Sequence, residues 1–284
     1  MYILIRRVYG FLIQRVVISR YVTRLIHLKW SKLFSKPHFN LSISEEITTK
    51  GFAAGPTLDK ESLRKIQDIY FSKAESLKPK QEGAPIENLY HINESSSLDP
   101  VLKLAFSPEV LDVAIDFFGG KVILESISVF YSYPSDELRA SQYWHLDYGD
   151  RKSLHSMTYL NNVHHEDDGP FVFLDKHQSN KLGRFNVVKR FTDKKIKELN
   201  SSAIPNYFYG SEGETLFANP ADCYHYGSRC KNPRFAIFVT FNTWFPFRQS
   251  SPEIIDNKLL IKDNAQLIRP DLSSKFLDSL LQIK

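Results

Sequence analysis

Gln142-Tyr143-Trp144-His145-Leu146-Asp147 is followed at short range by Tyr159-Leu160, by Asp168-Gly169-Pro170-Phe171 and by His177. Side chains two apart on an extended segment point to the same side, so the imidazole of His145 and the carboxylate of Asp147 can converge on one point. A divalent metal needs such a pair and at least one further ligand. Two histidines and one carboxylate leave half of an octahedron open, the pattern of non-haem iron(II) oxygenases. A lone His-x-Asp arises often by chance, so the rest of the chain has to supply the third ligand.

Outward from this stretch, strand signals dominate. Val122 to Tyr133 is rich in β-branched and aromatic residues and stops at Pro134. Leu154–Leu160, Phe171–Leu174, Glu214–Ala218 and Arg234–Asn242 carry the same signal. On the last of these, Phe235, Ile237, Val239 and Phe241 share one wholly apolar face, and Arg234, Ala236, Phe238, Thr240 and Asn242 share the other. An arginine on the more polar face predicts either a lumen that holds an anion or a strand end paired with a surface acid.

Helical signals lie on both sides of the strands. Leu63, Ile66, Ile69 and Tyr70 recur at helical spacing between Asp59 and Ala74. Asp99-Pro100 and Ser107-Pro108-Glu109 read as N-caps followed by proline at the first helical position, and Gly119 closes the second of these helices. Phe191 to Asn200 predicts a small inserted helix, and residues 252–284 predict terminal helices outside the sheet. Residues 31–57, with Pro37, Gly51, Gly55 and Pro56, read as a linker leading into the domain.

A chain of 284 residues suffices for one large domain or two small ones. The 21 Phe and 14 Tyr favour a β-rich body over a helical bundle. The net charge of +5 is local in origin: residues 1–44 hold eight Lys or Arg and no acid, which leaves 29 basic against 32 acidic residues elsewhere. A nucleic-acid partner is therefore not expected. Two cysteines, Cys223 and Cys230, make neither a disulfide framework nor a Cys-rich zinc site and point to a reducing, cytoplasmic setting. Residues 1–30 are apolar, aromatic and basic, with charges interrupting every run before the roughly 20 residues a spanning helix needs. Three readings stay open for that end: peripheral membrane contact through residues 1–44, a helix packed on the domain, or an organellar transit segment.

The third ligand is sought in Cys223-Tyr224-His225-Tyr226-Gly227-Ser228-Arg229, between two late strands and 78 residues after Asp147. Taken alone, a histidine between two tyrosines is more often a structural residue. With Gln142-x-x-His145-x-Asp147, Tyr159-Leu160, Gly169-Pro170-Phe171, His177 and Arg234 in this order, the chain resembles the phytanoyl-CoA dioxygenase family over roughly residues 100–245. The resemblance implies a mainly β fold, a double-stranded β-helix of jelly-roll or cupin type with flanking α-helices. It implies residues 45–284 as a single domain with its β-core at about 120–245. It further implies that His145, Asp147 and His225 hold Fe(II), and that an arginine near the start of the last core strand binds 2-oxoglutarate, with O₂ as the other co-substrate.

The chain departs from that pattern in three places. Asp175-Lys176-His177 replaces a Gly-Ser-His type turn, and His155 stands where similar proteins carry a lysine. Arg234 follows His225 by nine residues, a short interval, so Arg229 is the runner-up for the co-substrate carboxylate. The activity implied is hydroxylation of a small metabolite, lipid or glycan precursor with release of succinate and CO₂. Asp147 keeps the carboxylate position, which leaves no vacated metal site for a halide. A redox-inert metal hydrolase and a catalytically inactive membrane-surface binding protein of the same fold are the rival readings.

Overall fold

The computed structural model describes residues 41–283 except 79–81, 93–98, 148–149, 184–189, 245 and 247. The expectations for the first 40 residues lie outside them. Among the described residues no helix is long and apolar enough to cross a membrane.

The predicted helices form where their caps fall. Asp59 accepts from the Ser62 N–H at 2.9 Å and opens Lys60–Ala74, whose Leu63, Ile66 and Tyr70 are buried. Ile69, expected on the same stripe, is instead 41% exposed. Asp99 accepts from the Val101 N–H at 2.7 Å and opens Pro100–Phe106. The next helix begins with a π turn, Pro108–Asp112, then continues as Val113–Phe118 and ends at Gly119 with φ 73°. Its Ser107 makes no side-chain cap, against expectation. Thr192 caps Asp193–Leu199, and three helices, Pro252–Asp256, Lys258–Ile268 and Ser274–Leu280, finish the chain.

The linker expected over 31–57 is, from residue 42 on, ordered structure. Ser42–Lys50 is a helix, and β1 (Phe52–Ala54) pairs with β7 (Thr215–Ala218). The expected domain start at residue 45 thus falls inside a helix. Gly51 joins the two with φ 94°, and a Cβ there would lie 2.1 Å from the Cys223 sulfur. Only glycine fits this turn.

Two antiparallel sheets make the body. The larger has the order β1-β7-β4-β9-β3-β2, with β2 Ile86–Asn88, β3 Val122–Ser132, β4 Ser153–Tyr159 and β9 Arg234–Thr243. The smaller has the order β6-β5-β8, with β5 Phe171–Phe173, β6 Asn206–Phe208 and β8 His225–Tyr226. From β4 onward the chain crosses to the small sheet, returns at β7, crosses again at β8 and returns at β9. That alternation between facing sheets is a jelly roll, the double-stranded β-helix expected from the sequence.

The two faces of β9 decide what lies on each side. Phe235, Ile237, Val239 and Phe241 join the main core beneath the helices, where full burial of each contributes about 1.5–3 kcal/mol. Arg234, Phe238 and Thr240 face a cavity between the sheets. Strand β3 changes parity part-way along: Val122 and Leu124 face the main core, then Ile127 and Val129 do. The cause is a bulge, since Leu124 pairs with Phe241 and Ser126 with Thr240, leaving Glu125 without an opposite residue. Both Glu125 and Ser126 therefore reach the cavity, which strict alternation would forbid. Cys223 and Cys230 are buried, and neither is in a disulfide.

Candidate metal centre

His145 lies just after a short 3-10 turn, Ala140–Gln142, and its backbone forms a bridge to His225. The His145 N–H donates to the His225 carbonyl at 3.0 Å and the reverse bond is 2.9 Å, so the two segments extend the small sheet. Fully buried Gln142 ties the same pieces together, its amide donating to the Ser228 carbonyl at 2.7 Å. Asp147 is held by its N–H, which donates to the Pro220 carbonyl at 3.0 Å.

These anchors bring three donor atoms together. Asp147 Oδ1 lies 3.5 Å from His145 Nε2 and 3.9 Å from His225 Nε2, and one ligand atom from each of the three residues lies within 4.8 Å of the others. His145 Nδ1 is 2.8 Å from the Tyr143 carbonyl and His225 Nδ1 is 3.0 Å from the Cys223 carbonyl. An Nδ1–H donated to a carbonyl fixes the tautomer and leaves the Nε2 lone pair free for a metal. Burial pushes the His225 imidazole down to about 3, with His145 beside it acting in the same direction. The ring is thus neutral, as a ligand must be. Burial alone would raise the Asp147 carboxyl, but His225, His155 and His145 around it hold it below the ordinary range. Two neutral nitrogens and one carboxylate oxygen converging in this way fit a divalent transition metal.

His155, on β4, is the third histidine of the cluster. Its Nε2 lies 3.5 Å from Asp147 Oδ2, the oxygen turned away from the other two rings, and its Nδ1 is buried without a partner. The position matters because a second group beside a metal carboxylate sets its orientation.

The cavity measures about 370 Å³. Its lining includes Arg234, 3% exposed and in no ion pair among the described residues. It donates to the Gly169 carbonyl and to Ser228 Oγ, each at 2.6 Å, while its buried Nε has no partner. Of the two readings of this arginine from the strand alone, the buried lumen position is the one realised. Ser228 has φ 63°, and its hydroxyl also lies 3.0 Å from that of Ser132. Nearby, the Arg234 charge acts against burial on Tyr159, whose hydroxyl burial pushes up to about 12. Arg229 takes a different place. It stacks on Tyr226 with its guanidinium carbon 3.5 Å from the ring centre, and it pairs with Asp193 at 2.9 Å, outside the cavity lining.

His177 is exposed on the helix Lys176–Lys181, away from the cluster. Glu125, Ser126 and Arg248 line the cavity and were not singled out from the sequence. Glu125 accepts from Asn242 Nδ2 at 3.0 Å, and burial pushes its carboxyl up to about 7 against the opposing charge of Arg248.

No protein-family model matches the chain, and no curated protein matches it. Solved structures do. The epimerase SnoN, in complex with Fe3+, alpha ketoglutarate and nogalamycin RO, superposes with a TM-score of 0.52 at 14% identity, over 71% of this chain and 82% of that one. The non-heme alpha ketoglutarate dependent carbocyclase SnoK from nogalamycin biosynthesis gives 0.55 at 12% identity, over 77% and 91%. EctD from S. alaskensis, in its apoform, gives 0.54 at 15% identity, over 74% and 80%. The fold is the jelly roll that these proteins share. They include an epimerase and a carbocyclase, so the likeness extends to the scaffold and not to one reaction.

Proposed function

We propose that the chain is a non-haem iron(II)- and 2-oxoglutarate-dependent dioxygenase of the phytanoyl-CoA dioxygenase type, acting as a hydroxylase on a small molecule. The observation that carries this reading is the convergence of His145 Nε2, Asp147 Oδ1 and His225 Nε2 in a cavity that also contains buried Arg234. His145, Asp147 and His225 would hold the iron, and Arg234 the distal carboxylate of 2-oxoglutarate. Iron(II) held there would, with 2-oxoglutarate and O₂, supply oxidising power for hydroxylation of a substrate, with succinate and CO₂ as co-products.

The protein's own groups do the remaining work. The carbonyls of Tyr143 and Cys223 fix the two rings, so the ligands need little reorganisation on metal binding. Gly169 and Ser228 lock the Arg234 fork, which presents its remaining N–H groups to a carboxylate in a fixed plane. Phe171 and Phe238 line the same cavity and add apolar wall that keeps water from the reacting centre. On this reading residues 45–284 work as one domain, to which the helix from Ser42 also belongs.

The test is anaerobic loading with Fe(II) and 2-oxoglutarate, followed by admission of O₂ and measurement of succinate. One iron per chain and O₂-dependent succinate are expected. Equal activity with zinc in place of iron, or no succinate from a fully loaded protein, refutes the reading. The first outcome would favour the hydrolase.

A further inference from the structure

The cavity contains more charge than a metal and a keto acid require. On the reading above, the charges of iron, Asp147, 2-oxoglutarate and Arg234 cancel. Among the described residues that line the cavity, the Asp, Glu, Lys and Arg side chains left to face a substrate are Glu125 and Arg248, one of each sign.

Their placement is built into the fold. Glu125 is the extra residue of the β3 bulge, and a bulge that re-aims a side chain beside a site is a feature the sheet carries at a cost in pairing. One Glu125 oxygen accepts from Asn242, which is fully buried and has its own Oδ1 without a partner. A carboxylate so placed has lost much of its hydration and is completed by a cation or a strong donor. Arg248 follows the end of β9 and is exposed at the cavity mouth. It acts on Glu125 through space and makes no ion pair with it among the described residues. Two opposite charges lining one cavity and not joined leave room for a ligand that satisfies both. Ser126, Ser153 and Thr240 add hydroxyl-bearing residues to the lining, and Ile86 and Phe130 add apolar wall.

Resting on the oxygenase reading, we propose that the primary substrate is a small zwitterion of amino-acid type, its ammonium group on Glu125 and its carboxylate on Arg248. Size points the same way. A cavity of about 370 Å³ lies at the small end of the roughly 300–1,000 Å³ range of ligand sites and must also house 2-oxoglutarate. A polyanionic thioester would meet a single free arginine and a buried carboxylate of its own sign.

The test uses matched triads: each of the common amino acids, its N-acetyl form, which keeps only the negative charge, and its methyl ester, which keeps only the positive. Binding to the full chain is measured by calorimetry, with Fe(II) and 2-oxoglutarate under nitrogen and again without either. At least one free amino acid should bind ten times or more tighter than both of its derivatives. Glu125→Gln keeps a hydrogen-bonding amide beside Asn242 and should abolish the preference over the N-acetyl form. Arg248→Gln, at an exposed position, should abolish the preference over the ester. Thermal melts check that each variant is folded. The proposal is overturned if no free amino acid binds, if the derivatives bind as well, or if neither variant changes the preference. Intact iron and 2-oxoglutarate binding alongside any of those results leaves the oxygenase reading standing. Failure to bind iron, with the charge preference present, overturns the oxygenase reading and the substrate role with it, and leaves Glu125 and Arg248 only as a site for a zwitterion.

Discussion

Replacing Arg234 by lysine keeps the charge and removes the fork, and the structure sets the size of the effect. The guanidinium has five N–H groups and spends two on Gly169 and Ser228, leaving three for a ligand carboxylate, among them the unpartnered Nε. An ammonium has three donors, and keeping both protein bonds would leave one. The carboxylate would therefore fall from two-point to one-point recognition. A hydrogen bond to a charged group contributes roughly 1.5–3 kcal/mol, so the affinity for 2-oxoglutarate should fall by about ten- to a hundredfold. Calorimetry of 2-oxoglutarate binding under nitrogen, with iron present, reads this directly. Arg229→Lys is the matched control: it should weaken the contact with Asp193 and lower the melting temperature while leaving the co-substrate affinity near wild type. Unchanged affinity in Arg234→Lys together with a loss in Arg229→Lys would refute the assignment and move the role to Arg229.

Other consequences can be measured as readily. His225→Ala should abolish stoichiometric iron binding, seen by metal analysis, while the far-ultraviolet spectrum stays native; retained iron would exclude His225 as a ligand. Gly169→Ala should destabilise by at least about 1–2 kcal/mol in urea, because φ is 69° and the added Cβ would lie 2.5 Å from Cys230 Cβ. Lys152, its ammonium over the Phe117 ring, is pushed down to about 7 by burial and by Arg151. The folded protein thus holds fewer protons than the unfolded chain between about pH 7 and 10.4, so wild-type stability rises with pH across that window. Lys152→Met should be more stable than wild type by on the order of 1–2 kcal/mol at pH 7 after discounting for partial exposure, and the gain should vanish near pH 10. A difference that does not change with pH would contradict the burial argument. A chain starting at Leu41, whose N–H donates to Asp116, should fold and bind iron but pellet less with anionic vesicles at low salt than the full chain. Equal pelleting would end the membrane reading of the basic segment.

Much of the body was legible because its signals are local and long. Asp59 and Asp99 cap the helices they announce, and β9 shows both faces in ten residues. Of the three residues that converge, His145 and Asp147 stood out as a pair two apart, and His225 joined them only through the family resemblance, since alone it reads as a structural histidine. What escaped has physical reasons. Ser42–Lys50 has no side-chain cap and ends on a glycine that reads equally well as a loop. Strands of two or three residues, such as β2, β6 and β8, are too short to show alternation and exist only through their partners. Glu125 was hidden by the bulge, since strict alternation places it with Ile123 and Ile127 on a buried face. Arg248 follows the last strand, where no periodicity marks it. That Arg229 faces Asp193 and Tyr226 could come only from tertiary structure.

The reciprocal backbone bonds between His145 and His225, with the bond from Asp147 to Pro220, have a consequence for how such a centre is supplied. All three ligand-bearing segments are fastened by peptide groups, and none of those bonds involves a ligand atom. Filling the site then requires no coupled folding, and emptying it breaks no part of the sheet. A chelator should strip the ion from a protein that stays native, and re-addition should restore it within the mixing time, without chaperone or denaturant. In a cell, the working fraction of such a protein would follow the labile iron supply from moment to moment, independently of how much new chain is being made.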